Sequence, residues 1–201
     1  SNILIVAIEN KKWVRHSLAG EAYRKELEIA KKVQHLLFPK SLPHTKRLEM
    51  EASYLPHHDV GGDYYDYLPL TTDKFIFCIA DVSGKGVPAA LLMSHFQASL
   101  RALVRKTTEL SEIIIELNQV LYENMNGENF ITFFIGLYDY TARQLQYINC
   151  GHERMFLFID NEMLSLKIGT TVLGAFDPLP FLNLGTIKDL THFNFFGYTD
   201  G

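Results

Sequence analysis

The chain has 201 residues, 47% of them hydrophobic and 12% aromatic, which is enough to bury one sizeable core, so one domain with an appendage is expected. Lys and Arg number 19 against 23 Asp and Glu, a formal net charge of −4, which argues against a nucleic-acid binder that works by neutralising phosphates. No apolar run approaches a membrane span, the run at 3–8 is too short for a signal-peptide core, and Cys78 and Cys150 read as buried reduced thiols, so a cytoplasmic protein is expected.

In chain order, residues 2–8 read as a short strand or the tail of an upstream element. Residues 17–38 have helical periodicity, with Tyr23, Leu27, Ile29, Ala30, Val33, Leu36 and Leu37 forming a broad apolar stripe and Glu21, Arg24, Lys25, Glu28, Lys31 and Lys32 lying elsewhere, until Pro39 stops the helix. That stripe either packs on the domain's own core or pairs with its twin in a homodimer. Strand patterns follow at 48–54, 64–68 and 75–80, then two helices: one opening at Pro88 and running to Val104, and one over 110–125 with Ser111 as a possible N-cap. Strands return at 130–138, 144–149, 155–159, 163–166 and 192–199, with an irregular segment between Gly169 and Phe181. Strands, a helix pair and more strands predict an α+β layered domain over 41–201, preceded by an N-terminal segment and linker helix over 1–40.

Three aspartates sit where strand-like runs begin or end: Asp63 after Gly61-Gly62, Asp81 before Val82-Ser83-Gly84-Lys85-Gly86, and Asp200 in Thr199-Asp200-Gly201. A hairpin turn centred near Thr72 places Asp63 opposite Asp81 in antiparallel register. Carboxylates crowded together repel and push their own pKa values up, and a divalent cation removes that penalty. Oxygen donors select hard cations, so magnesium or manganese is expected and zinc is not.

The segments 36–43, 60–67, 80–91, 130–136, 149–152 and 198–201 come in the order, and with the residues, of a known family. The chain resembles the SpoIIE-type, RsbU-like branch of the metal-dependent type 2C Ser/Thr protein phosphatases. The resemblance implies two stacked antiparallel sheets flanked by helices, and two Mn2+ or Mg2+ ions per complete domain. It implies Asp81 as the ligand shared by both ions, with Asp63 and the Val82 carbonyl on one side and Asp200 on the other. It further implies hydrolysis of phosphoserine or phosphothreonine by a water activated between the ions, on an anti-anti-sigma-like regulatory protein in a bacterial signalling path. The N-terminal helix would then link an upstream sensor domain to the phosphatase. Because the family carries a further acidic ligand beyond the Thr-Asp-Gly motif, a chain ending at Gly201 is expected to be truncated at its C-terminus, to hold at most one ion and to be nearly inactive.

Other residues invite plainer readings. Lys85 lacks the flanking residues of a phosphate loop and is either a substrate-phosphate contact or a solvated turn lysine. His57 and His58 point opposite ways in an extended segment and read as a polar loop. His152 reads as a structural hydrogen-bonding residue; the family usually continues Asn-Pro-Pro where this chain has Glu153-Arg154-Met155. Asp66 and its tyrosine neighbours read as strand residues, Asp139 as a turn starter, and Ser83 lacks a nucleophile elbow. Two other functions compete: an inactive module that keeps the fold for regulation or interaction, and a diguanylate-cyclase-like enzyme, to which Gly61-Gly62-Asp63 is similar but Tyr64-Tyr65 is not.

Overall fold

The computed structural model describes residues 2–55, 59–125, 127–160 and 162–199 and, ahead of residue 17, the side chain of Trp13 alone. Asp200, His57 and His58 therefore lie outside the described residues. The elements are α1 (Asn2–His35), β1 (Tyr64–Pro69), β2 (Lys74–Val82), α2 (Gly86–Val104), α3 (Leu110–Met125), β3 (Ile131–Asp139), β4 (Gln144–Cys150), β5 (Met155–Ile159), β6 (Glu162–Leu166), β7 (Gly169–Thr170), β8 (Gly185–Ile187) and β9 (Asn194–Phe196).

These strands form two sheets. One has the order β1-β2-β3-β4-β7, with β8 also on β4; the other has the order β6-β5-β9. All pairings are antiparallel except β4 with β7. Alternation along β2 explains the layers. Ile76, Cys78 and Ala80 enter one core with Phe96, Leu100, Ile113 and Leu117 of α2 and α3, whereas Phe75 and Phe77 enter a second core with Met155 and Leu157 of the smaller sheet. Both faces of the central strands are thus covered, which is why their sequences read as nearly continuous apolar runs. Phe195 of β9 closes the second core edge-on against Phe77, with ring centroids 4.8 Å apart.

Four expectations are corrected. Residues 2–8 are not a strand but the start of α1, a continuous helix of 34 residues: no proline interrupts it, and a β-branched run becomes a strand only where a sheet edge accepts it. The run at 48–54 forms no strand beyond a single bridge, His44 with Glu49; it lies extended, and Leu48, Met50 and Tyr54 still pack on the cores. Ser111 lies inside α3, whose entrance is organised by Thr107: its hydroxyl accepts the Glu109 N–H and donates to Glu112. The segment between Gly169 and Phe181 is irregular as expected beyond the two residues of β7, but the residue pattern did not show β7 or, further on, β8.

The helix stripe also divides unexpectedly. Ile29, Val33 and Leu36 are 61%, 55% and 72% exposed, while among the described side chains of α1 the buried one is the polar Gln34, 5% exposed.

Candidate metal centre

The β1–β2 hairpin runs in the anticipated register. Its last pair is Tyr64 with Ala80, so Asp63 and Asp81 stand opposite each other one step further, at the open mouth. On the other side of β2, Asp81 faces Thr132 of β3. Gly62 makes the mouth possible: a Cβ there would stand 2.7 Å from the Val82 carbonyl oxygen, 3.1 Å from Val82 Cβ and 3.3 Å from Ala89 Cβ. Only glycine lets the chain before Asp63 lie against that carbonyl. Two carboxylates and one main-chain oxygen are thereby gathered from two strands, a donor set that suits a hard divalent cation. Among the described residues no three His, Cys, Asp or Glu side chains form a cluster; Asp200, the third acid of the expected set, lies outside them.

Beyond Val82 the chain turns into α2. The Ser83 N–H donates to Phe130 O at 2.9 Å, and Ser83 Oγ accepts the Phe130 N–H at 2.9 Å. Ser83 is therefore a brace between β2 and the start of β3, in keeping with its reading as no nucleophile. Lys85 is exposed in extended backbone immediately before Gly86, at the N-terminus of α2. A helix N-terminus with a lysine favours anions, and this one lies four residues from Asp81.

Two groups of residues hold the mouth in place. Gln34 donates from Nε2 to Gly61 O at 2.6 Å and accepts the Gly61 N–H at 3.2 Å; the Tyr54 hydroxyl donates to Gln34 Oε1 at 3.5 Å. The Tyr54 phenol is pushed up to about 12, first by burial and then by the charge of Asp63. Asp66, buried on β1, takes two bonds from Arg101 of α2, at 2.8 Å to Nε and 3.1 Å to Nη2, and further bonds from the Tyr64 hydroxyl and the Tyr67 N–H. Hydrogen bonding to Asp66 holds the Arg101 guanidinium well above its ordinary pKa, and burial drives the Tyr64 phenol upward. Gln97 and Arg101 also donate to Leu37 O, just past α1. On β3, opposite Asp81, the Thr132 hydroxyl lies 2.6 Å from His152 Nδ1.

A cavity of about 1030 Å³ extends from Asp63 between residues 48–55 and β9, lined by Met50, Tyr54, Phe77 and Phe195. Most of it belongs to the space between the sheets rather than to the carboxylate pair.

Residues 71–201 match the family model described as Stage II sporulation protein E (SpoIIE). The chain belongs to the SpoIIE family. Among curated proteins, this SpoIIE-family chain is 33% identical over 153 residues to the phosphoserine phosphatase RsbU of Bacillus subtilis, covering 75% of this chain and 45% of RsbU. It is 28% identical over 207 residues to protein IcfG of Synechocystis, covering 89% of this chain and 32% of that protein. The chain thus spans less than half the length of these relatives. Among solved structures, it is similar to the RsbU and RsbW domains of a Mycobacterium tuberculosis protein, with TM-score 0.62, 25% identity, and 72% and 40% of the two chains covered. The SiaA-PP2C domain of Pseudomonas aeruginosa superposes with TM-score 0.70 at 19% identity, covering 85% and 68%. These likenesses establish the layered type 2C phosphatase fold anticipated from the motifs.

Of the site residues anticipated from sequence, the fold of this SpoIIE-family chain brings together Asp63, Asp81 and Val82, places Lys85 nearby at the helix start, and leaves Asp200 outside the described residues. Sequence reasoning missed Gln34 and Arg101 and treated Asp66 as an ordinary strand residue. A glutamine on a helix carries no signal of its own. Asp66 and Arg101 could have been flagged as opposite charges within otherwise apolar runs, since such charges are buried only when paired.

Proposed function

We propose that this chain is the catalytic part of a metal-dependent protein Ser/Thr phosphatase, which hydrolyses phosphoserine or phosphothreonine on a regulatory protein, an anti-anti-sigma-like one by family analogy. The observation that carries the reading is the placement of Asp63 and Asp81 opposite each other beside the Val82 carbonyl. The similarity to RsbU, named a phosphoserine phosphatase, supports the substrate class.

Asp63, Asp81 and the Val82 carbonyl would hold divalent ions, with Asp200 as a further ligand, and the donor chemistry favours Mg2+ or Mn2+. Such ions, when bound, supply positive charge for the phosphoryl oxygens and acidify water. The chain's own residues set the geometry. Gly62 keeps the carbonyl and the Asp63 backbone in contact, Ser83 braces the turn that follows, and Lys85 with the first turn of α2 attracts the substrate's phosphate. No protein nucleophile is required, and the buried thiols of Cys78 and Cys150, both pushed upward by burial, are not suited to be one.

The exposed row Ile29, Val33 and Leu36 supports homodimerisation through α1, which would join the phosphatase to an upstream sensor domain. Among the described residues no helix is long and apolar enough to cross a membrane; a cytoplasmic location is part of the proposal.

The test, made on the complete domain, is hydrolysis of a phosphoserine peptide and of a chromogenic phosphate monoester with Mn2+, with chelator, and in Asp81→Asn. Activity should require the metal and fall at least 100-fold in the variant, by analogy with the loss of a preorganised electrostatic group. Chelator-resistant turnover, or full activity of Asp81→Asn, would refute the mechanism. Absence of turnover in a Mn2+-loaded protein would favour a regulatory module with the same fold.

A further inference from the structure

The metal ligands account for one side of β2; the polar residues on its other neighbour, β3, have no place in that account. Thr132 faces Asp81 directly in the antiparallel pair, so their side chains share one face of the sheet. The Thr132 hydroxyl lies 3.5 Å from Asp81 O, to which it donates, and shares a hydrogen bond of 2.6 Å with His152 Nδ1. His152 is in turn fixed from behind. Its N–H donates to Asn149 Oδ1 at 2.8 Å, and Asn149 Nδ2 donates to Leu166 O at 3.2 Å and Glu153 O at 3.3 Å. The turn that throws the imidazole back over β3 depends on Gly151, at φ +63°, where a Cβ would stand 2.7 Å from Val172 Cγ1 and 3.0 Å from the Val172 nitrogen.

An ordinary core would fill these positions with apolar side chains: valine has the shape of threonine and needs no partner. Instead the buried Asn149 and His152 and the half-buried Thr132 run from the end of β4 to the strand position opposite Asp81, and burying polar groups costs free energy unless they are hydrogen-bonded. Such an expense is useful where an orientation must be held to a fraction of an ångström. We propose that Thr132 and His152 are positioning residues for Asp81: the imidazole fixes the threonine hydroxyl, and the hydroxyl fixes the segment of β2 that presents the Asp81 carboxylate and the Val82 carbonyl to the metal. The inference rests on the metal-dependent reading above and extends it to two residues that touch neither metal nor substrate. Partners of this kind orient first ligands, and their loss weakens metal binding by about 10–100-fold.

The experiment uses the full chain and reads Mn2+ affinity by calorimetry and the melting temperature in chelator. Thr132→Val and His152→Ala should each raise the Mn2+ Kd at least about 10-fold. Because the two residues act in series, the double variant should be no weaker than the worse single one. Thr132→Ser keeps the hydroxyl, and His152→Asn keeps a hydrogen-bonding atom near the Nδ1 position, so both should return to within about threefold of the unmodified Kd. The metal-free melting temperatures of Thr132→Ser and His152→Asn should stay within about 2 °C of the unmodified chain, a shift equivalent to under 1 kcal/mol in a chain of this size, whereas Thr132→Val and His152→Ala lose stability as well as affinity. Unmodified affinity in Thr132→Val, or a lowered metal-free melting temperature with unmodified affinity, would overturn the inference while leaving the phosphatase reading intact. Failure of the unmodified chain to bind Mn2+ would overturn both.

Discussion

Gln34→Leu is the most informative single substitution, because it isolates the contact between α1 and the backbone of the proposed metal site at nearly constant volume. Gln34 is buried and makes two well-formed bonds to Gly61, 2.6 Å to the carbonyl and 3.2 Å from the N–H, plus a long one of 3.5 Å from Tyr54. A net hydrogen bond contributes about 0.5–1.5 kcal/mol, and a buried group left unpaired costs about 1–3 kcal/mol. Two good bonds to partly buried groups therefore give about 2 kcal/mol, with the Tyr54 contact adding little. In a domain of this size that is a fall of about 4–8 °C in melting temperature. Gly61 is also two residues from Asp63, so releasing its backbone should weaken Mn2+ binding as well. Urea unfolding followed by circular dichroism measures the stability, with Gln119→Leu as the control, since Gln119 is exposed and its one side-chain bond is to Glu123. A destabilisation below about 0.5 kcal/mol, the level of an ordinary surface substitution, would show that the Gln34 clamp is not a determinant of the site.

Three further outcomes follow from particular contacts. Gly62→Ala should cost about 1–3 kcal/mol through overpacking against Val82 and Ala89 and should weaken Mn2+ binding in calorimetry, because the easiest relief moves the Val82 carbonyl. Arg101→Met should destabilise by about 3 kcal/mol in urea unfolding, the low end for a broken buried pair because the guanidinium is partly exposed, and adding Asp66→Asn should recover part of the loss. Ile29→Glu combined with Val33→Glu should convert a dimer to a monomer in sedimentation; a monomeric unmodified chain would refute the dimer proposal.

Much of the candidate site's backbone geometry was legible in the amino-acid sequence because it depends on local patterns. The turn near Thr72 and the period of two along β1 and β2 determine the hairpin register, and the register alone puts Asp63 opposite Asp81. The apolar periodicity and flanking residues of α2 and α3 likewise located both helices to within about two residues, the ordinary scatter of helix ends. Where pairing across long separations decides, local pattern failed. Residues 48–54 have strand composition but find only one bridge, and β7 and β8, of two and three residues, exist because the edge of β4 away from β3 accepts both, β8 along 145–147 and β7 along 149–150. The same distinction separates the proposed ligands from the residues packed around them. Glycine and aspartate at a strand end carry their own conformational signature, whereas Gln34, Arg101 and Thr132 acquire meaning only when Gly61, Asp66 and Asp81 arrive beside them from 27, 35 and 51 residues away. Hydrogen-bond partners at that separation leave no period in the chain, so the tertiary structure alone decides them.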